Sequence, residues 1–179
     1  VDLDVNLRNH KIKDALNGNL PWYCRVTEVV NVNNDFNARF DAISREYFYQ
    51  CYTGKSILFH NQSWHINKLD LENLNLMAKH FIGKIDFLSF SKYRKELKNT
   101  ECLVFNAFWE KKDFMYTFNI KANRYLHHMI RYIVGSMIGV YEKRMSKKDF
   151  LLLIEEPKKN VKILKAPAQG LILNRVNYE

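Results

Sequence analysis

A chain of 179 residues that is 47% hydrophobic and 14% aromatic can bury a core, which excludes a disordered polypeptide. With 28 Lys and Arg against 19 Asp and Glu, the formal charge is +9 and the isoelectric point about 9.4, pointing to an anionic partner or to plain solubility. The apolar runs are too short for a membrane helix, and three distant cysteines without a CxxC argue against a disulfide framework or a structural zinc site, so a reducing, cytoplasmic setting is expected.

The opening "VDLDVNLRNHKIKD" lacks the basic-then-apolar pattern of a secretory signal and lacks an initiator Met. A piece of a longer protein is expected. "LRNHKIKDALNG" reads as a helix closing at Gly18, with Pro21 beyond it. "WYCRVTEVVNV" places Trp22, Cys24, Val26, Val30 and Val32 on one face, as a strand would, and "NNDF" reads as a turn. "REYFYQCYTG" is a second strand, stopped by Gly54. "DLENLNLMAKHFIG" carries Leu71, Leu74, Met77, Ala78 and Phe81 at helical spacing.

"CLVFNAFWEKKDFMYTFNIKAN" reads as a hairpin around Lys111, Lys112 and Asp113, with Tyr116, Phe118 and Ile120 on one face. A helix over "RYLHHMIRYIVGSMIGVYEK" follows, with Asn123 as its expected cap. "SKKDFLLLIEE" opens with Ser146 and Asp149 in a capping arrangement and ends at Pro157. "GLILNRVNYE" is a last short strand. Strands and helices that do not alternate strictly predict an α+β fold, a largely antiparallel sheet with helices packed on one face. No repeat or linker divides the chain, so one domain over residues 1–179 is the simplest reading.

Within the long helix, Leu126, Ile130, Ile133, Val134, Met137 and Tyr141 form a buried stripe. Arg131 falls at its border, and Gly135, one turn on, leaves room above the guanidinium. Two readings stand. The head escapes to water along the apolar face, or it is held half-buried for a carboxylate or phosphate that its planar fork of donors would match. On the "SREYFYQCY" strand, Arg45, Tyr47, Tyr49 and Cys51 share one face. They are ordinary strand residues, or an arginine and tyrosines that contact phosphate and stack a base.

His127 and His128, adjacent on a helix, point about 100° apart and do not chelate one ion, so no metal is expected. The basic clusters "SKYRKELK", "EKRMSKK" and "PKKNVKILK" are solvated faces singly, and together favour a nucleic-acid surface.

Taken in order, Leu20-Pro21 with Arg25-Val26, "DFNARF" (35–40), "REYFY" (45–49), "DFLSF" (86–90), "YLHHMIRYIVG" (125–135) and "APAQGLILNRVNY" (166–178) resemble the tRNA pseudouridine synthase A family. The resemblance runs through nearly the whole chain. It implies the pseudouridine synthase catalytic-domain type of fold, with a ferredoxin-like half. It also implies isomerisation of uridine to pseudouridine at positions 38 to 40 of the tRNA anticodon stem-loop, by a homodimer that needs no cofactor or metal. Tyr47 would contact the target uracil, Arg131 would pair with the catalytic aspartate, and Gly170 and Leu171 would line the pocket. Arg45, His127 and His128 are the expected RNA contacts.

One departure matters. The family carries its nucleophile in a Gly-Arg-Thr-Asp segment, and none of the nine aspartates here has that context. Asn37 is a smaller departure, at a position where the family more often has His. The chain is therefore expected to be the C-terminal domain of a synthase, inactive alone. The alternatives are a non-catalytic RNA-binding module on the same scaffold, or a basic protein-interaction domain.

Overall fold

The structure is a computed structural model that describes residues 7–92 and 99–178. Where the sequence suggests one uninterrupted domain, the chain divides into two compact units, residues 1–41 and 42–179.

In the first unit, helix α1 (Asn9–Asn19) ends one residue past Gly18, its last turn closed by the Leu20 N–H on Leu16. The expected strand over residues 22–32 does not form. The segment opens on a turn, with Cys24 N donating to Pro21 O at 2.9 Å, and belongs to no sheet pairing among the described residues, and Trp22 is 95% exposed. Alternating apolar residues make a strand only when a partner supplies the other half of the hydrogen-bond ladder. Here the Asn17 side chain does so at one point, accepting from Val26 N at 2.8 Å and donating to Val26 O at 2.9 Å. The expected turn is present, with Phe36 N donating to Asn33 O at 3.0 Å.

The second unit begins with β1 (Ser44–Tyr52), followed by β2 (Trp64–His65), α2 (Leu71–Ala78), β3 (Gly83–Asp86), β4 (Glu101–Lys112) and β5 (Met115–Ala122). Then come α3 (Met129–Tyr141), α4 (Lys147–Glu155) and β6 (Leu171–Asn177). The six strands form one sheet in the order β2-β1-β5-β4-β3, and β6 pairs antiparallel with β1. Among the described residues only the short β1–β2 pairing is parallel. This is the α+β architecture with a largely antiparallel sheet.

The β4–β5 hairpin turns at Asp113, whose φ of 53° is a left-handed conformation that Asp tolerates. Cys102, Val104, Ala107 and Trp109 of β4, with Tyr116, Phe118, Ile120 and Ala122 of β5, are buried on the face where α2 and α3 pack. Phe81, Phe87, Phe90 and Phe150 interlock in the same core, all fully buried, most pairs edge to face. Each contributes about 1.5–3 kcal/mol by burial alone. β3 ends early along β4, and an α2 side chain takes over. Asn75 accepts from Trp109 N at 2.8 Å and donates to Trp109 O at 2.9 Å, imitating a neighbouring strand.

The helix carrying Arg131 starts later than its sequence suggests. Residues 124–126 are irregular, 127 and 128 form a turn closed by Met129 N on Leu126 O, and α3 opens after His128, which has φ of 64°. Asn123 is not its cap. Its side chain accepts from Leu103 N at 2.9 Å and so belongs to the sheet, which competes for the same oxygen that a helix cap would use. Helix α4 is capped as expected, with Asp149 N donating to Ser146 Oγ at 3.0 Å.

Candidate active site

Strand alternation holds along β1. Tyr47 and Tyr49 lie opposite Ile120 and Phe118 on the helix-covered face. Tyr47 is half-buried, its ring edge-on to Tyr125 at 5.0 Å. Tyr125 is in turn fixed by its hydroxyl, which is within hydrogen-bond distance of the carbonyls of Arg45 (3.1 Å) and Ile120 (3.0 Å). Sequence reasoning passed over Tyr125, since it fell inside the presumed helix. On the other edge of β1, Leu171 pairs with Tyr49 and Leu173 with Tyr47, while Gln50 N donates to Gly170 O at 2.8 Å. Leu173 is half exposed beside Tyr47 and was also missed. Its spacing of two from Leu171 was the available signal.

Arg131 is half-buried on α3, at the stripe's border, as its position predicted. Its Nε donates to Ala166 O at 2.7 Å, and Ala166 N donates back to Arg131 O at 3.0 Å. No carboxylate among the described residues pairs with it. The room expected above it at Gly135 is filled. A Cβ there would strike the Leu164 carbonyl and come within 3.0 Å of Ala166 N. Gly135 thus admits the backbone of residues 164–166, and that backbone orients the arginine.

Arg131, Gly170, Leu171 and β1 are therefore joined through one segment, residues 164–171. Arg45 instead donates to the carbonyls of Ala42 (3.4 Å) and Asn123 (3.2 Å), tying the start of β1 to the turn before α3. His127 and His128 are not helical neighbours pointing apart. Their rings stack at 3.9 Å, ahead of the helix, with His128 edge-on to Tyr132 at 6.3 Å. His128 is held below its ordinary value, first by burial and then by His127, Arg131, Lys165 and Lys92. This corner is positively charged and suited to an anion. Lysines 143, 147, 148, 158, 159, 162 and 165 of the basic clusters are exposed, whereas residues 93–98 of "SKYRKELK" lie outside the described residues.

On the uncovered face of the sheet, Glu46, Asn106, Phe108, Asn119 and Lys121 line a shallow depression of 270 Å³. Lys121 Nζ lies 3.1 Å from Glu46, and hydrogen bonds from Lys121 and Asn177 hold that carboxyl below its usual range. Thiol chemistry has no place in the core: burial pushes the Cys51 thiol up, and Cys102 to about 11. No cluster suited to a metal ion occurs among the described residues.

A family profile described as tRNA pseudouridine synthase matches residues 77–179. The chain is 34% identical over 178 residues to the tRNA pseudouridine synthase A of Bacteroides fragilis, covering 98% of this chain and 69% of that protein. This chain belongs to the tRNA pseudouridine synthase family. The synthase of Borreliella afzelii is 32% identical over 184 residues, covering 99% of this chain and 74% of its own length. That of Treponema denticola is 34% identical over 177 residues, with 97% and 66% covered. The chain thus spans about two thirds to three quarters of these synthases. The family match takes in Arg131 and the 164–171 segment, and the longer alignments extend it across β1.

Proposed function

We propose that this chain is the C-terminal domain of a cytoplasmic, homodimeric synthase that converts uridine to pseudouridine at positions 38 to 40 of the tRNA anticodon stem-loop, without cofactor or metal. The observation that supports it best is the linkage of Arg131 to β1 through residues 164–171, in a chain of this family. The reaction detaches the uracil from its sugar, rotates it and rejoins it through carbon, so product and substrate are isomers. The base must leave the helical stack, at a cost of roughly a few kcal/mol, and be held throughout.

Tyr47 offers the ring that holds the base, braced by Tyr125. Leu171 and Gly170 offer the wall across the β1 edge. Arg131 pairs with a carboxylate nucleophile and keeps it ionised and aimed. That carboxylate is the aspartate of a Gly-Arg-Thr-Asp segment, which these 179 residues do not contain. His127, His128 and Arg45 lie toward the RNA backbone.

Anticodon stem-loop RNA labelled with tritium at uracil C5 tests this, because rejoining at that carbon releases the label. The 179-residue chain alone is expected to release none, and a synthase carrying this chain behind a Gly-Arg-Thr-Asp segment to release it. Release by the chain alone would overturn the need for an external carboxylate. Full release by the Arg131→Ala synthase would overturn the arginine's role. The alternative reading, a non-catalytic RNA-binding module on the same scaffold, would be established by tight binding without release by the longer protein.

A further inference from the structure

We infer that Tyr49 is a positioning residue for Arg131, its hydroxyl holding the 164–170 segment where Ala166 orients the guanidinium. The inference rests on the ion-pair role proposed above for Arg131. Among the described residues Tyr49 is the one fully buried tyrosine, and its hydroxyl donates to Pro167 O at 2.8 Å. Burial pushes this phenol well above its ordinary value, so it remains a donor at any working pH, while the nearby charge of Arg131 acts in the opposite sense.

The segment it holds is pinned on both sides. On the helix side, Ala166 exchanges two hydrogen bonds with Arg131, and the missing side chain at Gly135 lets the backbone come close. On the strand side, Gly170 O accepts from Gln50 N, and Gly170 sits against the Tyr49 ring, where a Cβ would come within 2.8 Å of the ring carbon. Between these pins, Tyr49 makes the only side-chain hydrogen bond found among the described residues from β1 to the segment.

Two consequences follow for the guanidinium. Because Nε is occupied by Ala166, a carboxylate meets the two terminal nitrogens, end-on, and its position follows that of Ala166. Because Tyr47 and Tyr49 stand on the same face of β1 two residues apart, the hydroxyl on Pro167 sets the uracil ring contact and the arginine in register. Tyr49→Phe keeps the ring under Gly170 and removes only the hydrogen bond, so the segment loses its restraint while the core stays filled.

The test uses a full synthase containing this chain and a Gly-Arg-Thr-Asp segment, with kcat and KM on anticodon stem-loop RNA followed against pH. In Tyr49→Phe, kcat is expected to fall roughly tenfold with KM unchanged, the scale of one lost hydrogen bond expressed only at the reacting centre. The acidic limb of the kcat profile is expected to move to higher pH, since a carboxylate whose arginine is loosely held ionises less readily. A merely structural tyrosine would lower thermal stability without moving that limb. Arg131→Lys separates the two readings. If it leaves the limb in place, the ion-pair role fails. If it moves the limb and Tyr49→Phe does not, only the present inference fails. Gly135→Ala gives a second route to the same displacement and should shift the limb in the same direction; an unshifted limb in a folded Gly135→Ala synthase would also overturn the inference.

Discussion

Beside the Arg131 guanidinium, the imidazole of His128 carries a titration consequence. Burial and four positive or ionisable neighbours hold it below the ordinary histidine value, so the unfolded chain takes up the proton more readily than the folded one. The stability this neutral ring contributes is fully present above the unfolded value of about 6.5 and is lost as pH falls through the folded value. Nuclear magnetic resonance of the imidazole protons should show His128 titrating below that value, and His128→Gln should flatten the loss of stability on the acid side of neutrality. Titration of His128 at or above the ordinary value would contradict the description of this corner as basic and partly desolvated.

Among the elements, α4 shows how local signals suffice when nothing competes for them. Ser146 accepts from Asp149 N, and its hydroxyl lies 2.7 Å from the Asp149 carboxylate, all at an exposed helix start. Ser146→Ala should therefore cost about 1 kcal/mol, read as a lower urea midpoint at an unchanged slope. The turn before α3 shows the opposite case. Asn123 is a good helix cap by type, yet its oxygen is taken by Leu103 N, from a strand twenty residues earlier in the chain. Residues 22–32 have the alternation of a strand but no ladder partner, and two hydrogen bonds to Asn17 serve instead. The two misreadings have different causes: a competitor twenty residues away takes the Asn123 oxygen, whereas residues 22–32 find no strand to pair with and turn to Asn17, nine residues earlier than Val26.

Across the whole molecule, the formal charge of +9 is spread over exposed lysines, including those between Lys143 and Lys165. Phosphate binding by such a surface releases counterions, so tRNA affinity should fall steeply with salt, the slope on logarithmic axes growing by about 0.7–0.9 per phosphate neutralised. Replacing Lys158 and Lys162 by Ala should flatten that slope by roughly one to two units without altering which RNA is chosen. Filter binding over a salt series measures both. A slope near zero for the unaltered chain would remove RNA from its partners.

Composition and periodicity alone determined the class of the molecule: a basic, mixed α+β chain with the β4–β5 hairpin, the amphipathic helices and the tyrosine strand in their places. They did so because apolar spacing reports which face of an element is buried, and that information is local. The motifs also placed Arg131 at the edge of an apolar stripe. What only the tertiary structure decided is how that arginine is held. Ala166 lies 35 residues away, Gly135 proves to be a point of backbone approach, and Tyr49 reaches Pro167 across 118 residues. Hydrogen bonds between segments so far apart leave no periodic trace, because each depends on two local patterns meeting in space.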